Sequence, residues 1–267
     1  YLGLARCGLN WFTAGFPPTD SLKRYQSFLK EAVKRKERAT DRERMYIEAW
    51  EEAWLRPGVK PADAMVKKLG EIALKYPQDP EAIVLLGLFS IGNGNPLAND
   101  ALIKRALATN PMHPGAHHAL IHNWDGVNSQ QALNSCERYG RAAPGVGHSL
   151  HMPGHIYSKV GMWHEAAIAM DRATRVELRY MNERMTLPYE TWNYAHNRDY
   201  LCYIQEQLGR ANDSLRGARD LIASPRPPDL LDSGMPAGFE LMPLLRALVK
   251  FERWEEILGD PTIRGAP

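Results

Sequence analysis

Histidine is the residue type that most plainly offers chemistry in this chain. There are nine, and all lie between His113 and His196. Two pairs stand four residues apart, His118 with His122 and His151 with His155. On a helix that spacing puts both rings of a pair on one face. His148 precedes His151 by three and shares its face, and His196 stands three before Asp199. Imidazole suits copper, iron, zinc and nickel. Six histidines (His118, His122, His148, His151, His155, His196) and Asp199 exceed the four ligands of a closed zinc site. The set therefore points to two metals, or to one metal with supporting histidines. The carboxylate-rich set of di-iron bundles is lacking. Glu190 and Asp125 lie close enough in sequence to serve as a base or a supporting group.

The other histidines read differently. His113 beside Pro114, His164 at a helix start, and His117 are expected to be surface or satisfied polar groups. The main set also has a plainer reading, a metal-free polar network or a peptide-binding groove.

The elements that must carry these residues are helices. Apolar residues recur at three and four positions, the helical period, and runs typical of strands are almost absent. Proline and glycine breakers, among them Pro17–Pro18, Pro57–Gly58, Pro111, Pro144–Gly145, Gly161, Gly209 and Pro225–Pro228, cut the chain into helix-length pieces. The predicted helices are 20–37, 42–55, 61–75, 80–91, 99–109, 115–124, 129–142, 149–160, 163–184, 191–208, 211–222 and 239–251. Short loops between such helices favour antiparallel neighbours. The stripe Tyr46, Trp50 and Trp54 reads as core, as do most of Trp124, Tyr157, Trp192, Tyr194, Tyr200 and Tyr203, with some of this second group expected to wall an apolar pocket.

A repeat underlies the pieces. Pro111 and Pro144 lie 33 residues apart, and Ala132 and Ala166 lie 34 apart. Both spacings match the 34-residue tetratricopeptide unit. Gly209 resumes the pattern 48 residues after Gly161, so extra residues are expected in 175–190 as a lengthened helix plus loop. The fold class is all-α, a tetratricopeptide-like α-solenoid of antiparallel helix pairs, in a single domain over 1–267 with the histidines in repeats at 111–223. One pair cannot bury its apolar face alone, so neighbours must stack. His118 and His151 each stand seven residues after a proline, on the first helices of successive repeats, which would line a concave face. Aligning on Ala132 and Ala166 instead matches His117 to His151; His118 is preferred because it completes a second four-residue pair. Pro153 either kinks the helix and so aims His151 and His155, or marks that helix's first turn.

Composition narrows the function. Net charge is +2, and the basic run 30–44 is interleaved with acids, so no nucleic-acid footprint is present. No apolar run approaches the length of a membrane span. Three scattered cysteines make no disulfide framework and no metal motif, and slightly favour a reducing compartment. No phosphate-cradling glycine loop, nucleophile elbow or zinc-protease helix occurs. The chain opens at Tyr1 on an apolar, helix-like stretch and is read as incomplete at both ends.

The stretch Pro114-Gly-Ala-His-His-Ala-Leu-Ile-His-Asn-Trp-Asp125, followed by His148-Ser-Leu-His-Met-Pro-Gly-His-Ile-Tyr157, resembles a large, mostly uncharacterised family of tetratricopeptide-repeat proteins with many bacterial members. That family carries a close relative of His-x-x-x-Ile-His, then His-x-x-His-Met-Pro-Ser-His-Ile, then His-x-x-Asp-Tyr. The residues set against these are His118, Ile121 and His122, one residue tighter than the first motif; His148, His151, Met152, Pro153, His155 and Ile156; and His196, Asp199 and Tyr200. Gly154 stands where the family has serine. The ending 243–258 is similar too, so the resemblance covers most of the chain. It implies the fold and supplies no reaction.

Together these readings predict a metal-binding protein. The favoured function is a metal-dependent oxidoreductase acting on a small organic molecule in the groove. Copper, iron or zinc would be held by the six histidines and Asp199, with Asp199 and Glu190 as catalytic carboxylates. A zinc-dependent hydrolase and a metal-free scaffold for a peptide or protein partner are the alternatives.

Overall fold

A computed structural model describes residues 1–15, 20–225, 238–260 and 263. The predicted breakers at Pro17, Pro18, Pro227 and Pro228 lie outside these. Among the described residues there are helices and no strands, as the all-α reading requires. The helices are α1 Leu2–Gly8, α2 Asp20–Val33, α3 Asp41–Leu55, α4 Pro61–Lys75, α5 Pro80–Phe89, α6 Pro96–Thr109 and α7 Pro114–Trp124. They continue with α8 Leu133–Ala142, α9 Gly147–Lys159, α10 Trp163–Arg184, α11 Trp192–Gln207, α12 Ala211–Ile222, α13 Gly238–Lys250 and α14 Trp254–Gly259. None is long and apolar enough to cross a membrane.

Local sequence explains the starts. Proline is the first residue of α4, α5, α6 and α7, where its missing N–H costs nothing and its fixed φ suits a helix. Thr40 and Glu43 form a reciprocal cap on α3, and Asp79 and Asn95 accept from first-turn amides of α5 and α6. At Gly161 and Gly209 the turn after a first helix needs φ of +81° and +71°, a conformation glycine adopts without strain.

The chain divides into two compact units, Tyr1–Asn123 and Trp124–Pro267. In the first, Trp50, Leu29, Met65, Leu69 and Phe89 form a buried core with Tyr46. The Trp50 indole donates to Leu9 O at 2.8 Å and stacks on Trp54, so the expected aromatic stripe is core. Farther on, Ile103 and Ala106 of α6 pack with Ala116, Ala119 and Leu120 of α7.

In the second unit each described helix packs on the next described one from α8 to α14. Alanines let the pairs approach closely: Ala166 and Met170 of α10 pack on Leu201 and Ile204 of α11. Cys202, Leu215, Ala218 and Leu244 then join α11, α12 and α13. The expected extra residues are present as a long α10 followed by a short 3-10 turn at Pro188–Glu190. This is an all-α, tetratricopeptide-like array of helix pairs, and α9 and α11, both first helices, touch each other.

Candidate metal centre in the second unit

α9 and α11 carry the cluster. His148, His151 and His155 lie along one side of α9, and His196 on α11 meets them. The ring centroids of His151 stand 4.6 Å from His148, 5.3 Å from His155 and 5.1 Å from His196. One ring nitrogen each from His151, His155 and His196 lies within 4.8 Å of the other two. His155 Nε2 and His196 Nε2 stand 3.1 Å apart.

The helix bearing three of these rings runs through Pro153 and begins six residues earlier, so the first-turn reading of Pro153 does not hold. Proline there withholds one amide from the helical ladder. The start of α9 has no capping side chain of its own. The buried Glu177 of α10 packs there instead, so close that a Cβ on Gly147 would stand 2.0 Å from its Oε1. Glu177 also accepts from Asn193 Nδ2 at the start of α11, at 3.4 Å. One side chain thereby touches both helices that carry the rings. Burial raises its pKa, with the Asn193 bond opposing.

Aromatic rings wall the cluster. Trp192, 58% exposed, lies 5.4 Å from the His196 ring and 6.2 Å from that of His151. Tyr200 packs edge-on to His155 at 4.4 Å and shares a hydrogen bond with Ser158 through its hydroxyl.

The electrostatics favour neutral rings. His151 is 1% exposed. Burial, reinforced by His148, His155 and His196, holds its pKa far below the usual histidine value, and the nearby Asn197 amide opposes this only weakly. Burial also lowers His196, against the pull of Asp199. A neutral imidazole keeps a lone pair for a ligand. His151 Nδ1 is buried, and the one polar group beside it, the Asn197 amide, stands outside good hydrogen-bond geometry. Buried polar atoms are rarely left so.

The expected carboxylates are engaged elsewhere. Asp199 accepts from Arg246 Nη2 of α13 at 3.0 Å, and Arg246 Nε also bonds the buried Glu206. Glu190 is exposed and accepts from Leu187 N at 2.7 Å. Asp125 pairs with Lys159. None of the three joins the group of converging donors.

In the first unit, His118 and His122 form their own pair on α7, Nε2 to Nε2 at 3.0 Å. His117 turns instead into the core, 1% exposed, with Nε2 at 3.0 Å from Pro111 O. His113 Nδ1 accepts from Ala116 N at 3.2 Å, and His164 is exposed. These three occupy the structural places expected of them. Trp192 and Tyr200, expected to be core or to wall an apolar pocket, stand beside the cluster. The sequence reading passed over Asn197 and the pairing of Arg246 with Asp199, for which no short-range signal exists.

Fold and cluster together define an all-α, tetratricopeptide-like repeat protein with three converging imidazoles in its second unit. Among solved structures, the chain is similar to the crystal structure of MamA, at 12% identity and a TM-score of 0.48 over 73% of this chain and 92% of that one. It is also similar to a thermophilic TPR protein in Thermus thermophilus, at 17% identity and a TM-score of 0.47 over 72% of this chain and 91% of that one. No protein-family model matches the chain, and no curated protein does.

Proposed function

We propose that this chain is a tetratricopeptide-like helical scaffold whose second unit holds a transition-metal ion between His151, His155 and His196. One observation carries the proposal: three ring nitrogens from two helices converge within 4.8 Å, and a buried nitrogen of one of those rings lacks a partner in good hydrogen-bond geometry. His155 and His196, with Nε2 atoms 3.1 Å apart, and His151 would hold the ion through imidazole nitrogens, the donor type that suits zinc, copper and iron. Depressed pKa values mean that little proton has to be displaced from His151 or His196 at neutral pH. The family resemblance supports treating these residues as one set, since His151 and His155 fall in its His-x-x-His-Met-Pro-x-His-Ile stretch and His196 in its His-x-x-Asp-Tyr stretch.

Three protein ligands are the number found at catalytic zinc sites, where a further position stays open. An ion so held supplies Lewis-acid activation or, with copper or iron, electron transfer. We therefore propose metal-dependent chemistry on a small organic molecule, an oxidoreductase with copper or iron or a hydrolase with zinc. In this scheme Trp192 and Tyr200 wall the reaction space and limit water. Glu177 and Asn193 fix the spacing of α9 and α11. Arg246 holds Asp199 and so steadies the turn of α11 that carries His196. Asp199 and Glu190 are thereby assigned positioning roles in place of direct acid–base work.

Elemental analysis of protein purified without chelators tests this. The expected result is a stoichiometric transition metal that is lost in His151→Ala while helicity by circular dichroism is kept. A fully folded wild-type protein with no metal would overturn it.

A second reading has its own support. Leu178, Tyr180, Met185, Leu187, Tyr189 and Trp192 are large apolar side chains, each 38% exposed or more, over one short stretch of the second unit. Exposed apolar patches mark interaction surfaces. On this reading the chain is a metal-free scaffold that docks a protein partner there. It predicts that His151→Ala leaves partner capture intact and that Met185→Asp with Tyr189→Asp abolishes it.

A further inference from the structure

We infer that His118 and His122 form a second metal-binding locus, in the first unit, that takes its own divalent transition ion. This extends the metal reading of the second unit but rests on its own pair of rings. The two residues lie four apart on α7, so both rings project from the same face. Their centroids are 4.6 Å apart with the planes at 74°, and their Nε2 atoms approach to 3.0 Å. For metal–nitrogen bonds of about 2.05 Å, that separation corresponds to a ligand angle of about 94°. A single ion can thus bridge the two nitrogens as the rings stand, with almost no loss of side-chain freedom on binding.

The opposing explanation for 3.0 Å is an N–H···N hydrogen bond between neutral rings, which the same geometry allows. Two features favour an ion. First, the next residue back, His117, shows how this helix satisfies a structural histidine: it is buried and directed to the carbonyl of Pro111. His118 and His122 are half-buried and directed at each other, with their Nε2 atoms adjacent. Second, His118 and His122 recur, 33 residues on, as His151 and His155, the pair that meets His196 in the second unit. Two imidazoles in adjacent positions, with the remaining positions left to water or other donors, suit a divalent ion late in the first transition series. Copper(II) is expected to bind tightest. The Trp11 ring lies 4.9 Å from that of His122, so bound copper(II) would quench its fluorescence.

The test is equilibrium dialysis of the full chain against copper(II), with parallel fluorescence titration. We expect two ions per wild-type chain, one in His118→Ala/His122→Ala and one in His151→Ala. Part of the quenching should vanish in Trp11→Phe and in the double variant, and persist in His151→Ala. Two ions retained by the double variant would overturn the second locus, as would one ion per wild-type chain lost only in His151→Ala. One ion lost in all the histidine variants would replace two loci with one. No ion in the wild type would sink this inference and the centre in the second unit together, whereas one ion lost only in the double variant would sink the latter alone.

Discussion

The first unit buries a carboxylate and the second buries an imidazole, and the two are treated in opposite ways. Asp79 is nearly inaccessible, yet every part of it is answered. Arg42 donates from Nε at 2.6 Å and Nη2 at 2.8 Å, Tyr46 donates its hydroxyl at 2.9 Å, and Glu81 its amide at 3.1 Å. Burial alone would raise the Asp79 pKa, but these bonds outweigh it and hold the group below the usual carboxylate range. His151 is buried as deeply, and its Nδ1 has only the adjacent Asn197 amide, outside good hydrogen-bond geometry. A polar group buried with its partners specifies structure; one buried without them pays desolvation for some other purpose. That contrast separates the structural network of the first unit from the candidate centre of the second.

The largest effect on stability should come from breaking the answered network. Arg42→Ala leaves Asp79 buried without its cation and should cost about 2 kcal/mol in urea unfolding. That is short of the full range for buried pairs, because Arg42 is itself 45% exposed. Metal uptake should be untouched. A cost near zero would mean that Tyr46 and the backbone suffice, and the contrast with His151 would blur.

His151→Leu should behave in the reverse manner. It removes a buried, unsatisfied nitrogen, so the metal-free protein should be as stable as the wild type or more so, by about 1 kcal/mol, while metal binding is lost. A loss of about 2 kcal/mol or more, in the range of a broken buried network, would make His151 a satisfied structural residue and remove the distinction.

Glu177 offers a smaller, pH-dependent check. It is a buried carboxylate like Asp79, but among the described residues no cation pairs with it, and burial raises its pKa. Between the unfolded value of 4.5 and its raised folded value, the native state holds the proton more often than the unfolded chain does. Stability therefore falls as pH rises through that window. Glu177→Gln should raise the melting temperature of the metal-free protein at pH 7, with the gain shrinking as pH falls toward the unfolded value. A gain that is independent of pH would point to packing against Gly147 in place of ionisation.

Much of this was legible in the residues themselves. Helices α4, α10 and α12 begin and end where the prolines, glycines and apolar period put them, because those signals act within a turn or two. The four-residue spacing of His151 and His155 also fixed their shared face. Less legible was anything set by packing between distant segments. His117 and His118 are adjacent, and only the helix's rotation against α6 and Pro111 decides which enters the core. Asp199 looks like a ligand beside His196, yet Arg246, 47 residues on, holds its carboxylate. Asn197 and Glu177 matter through burial, and no local pattern announces it.

The central claim is that His151, His155 and His196 answer together to one ion. Ring-nitrogen NMR of histidine-labelled protein during a zinc titration tests it most directly. We predict that the signals of His151, His155 and His196 move in concert and saturate together, while His113, His117 and His164 stay in place. Independent shifts of the three, or movement confined to the exposed His164, would contradict the account.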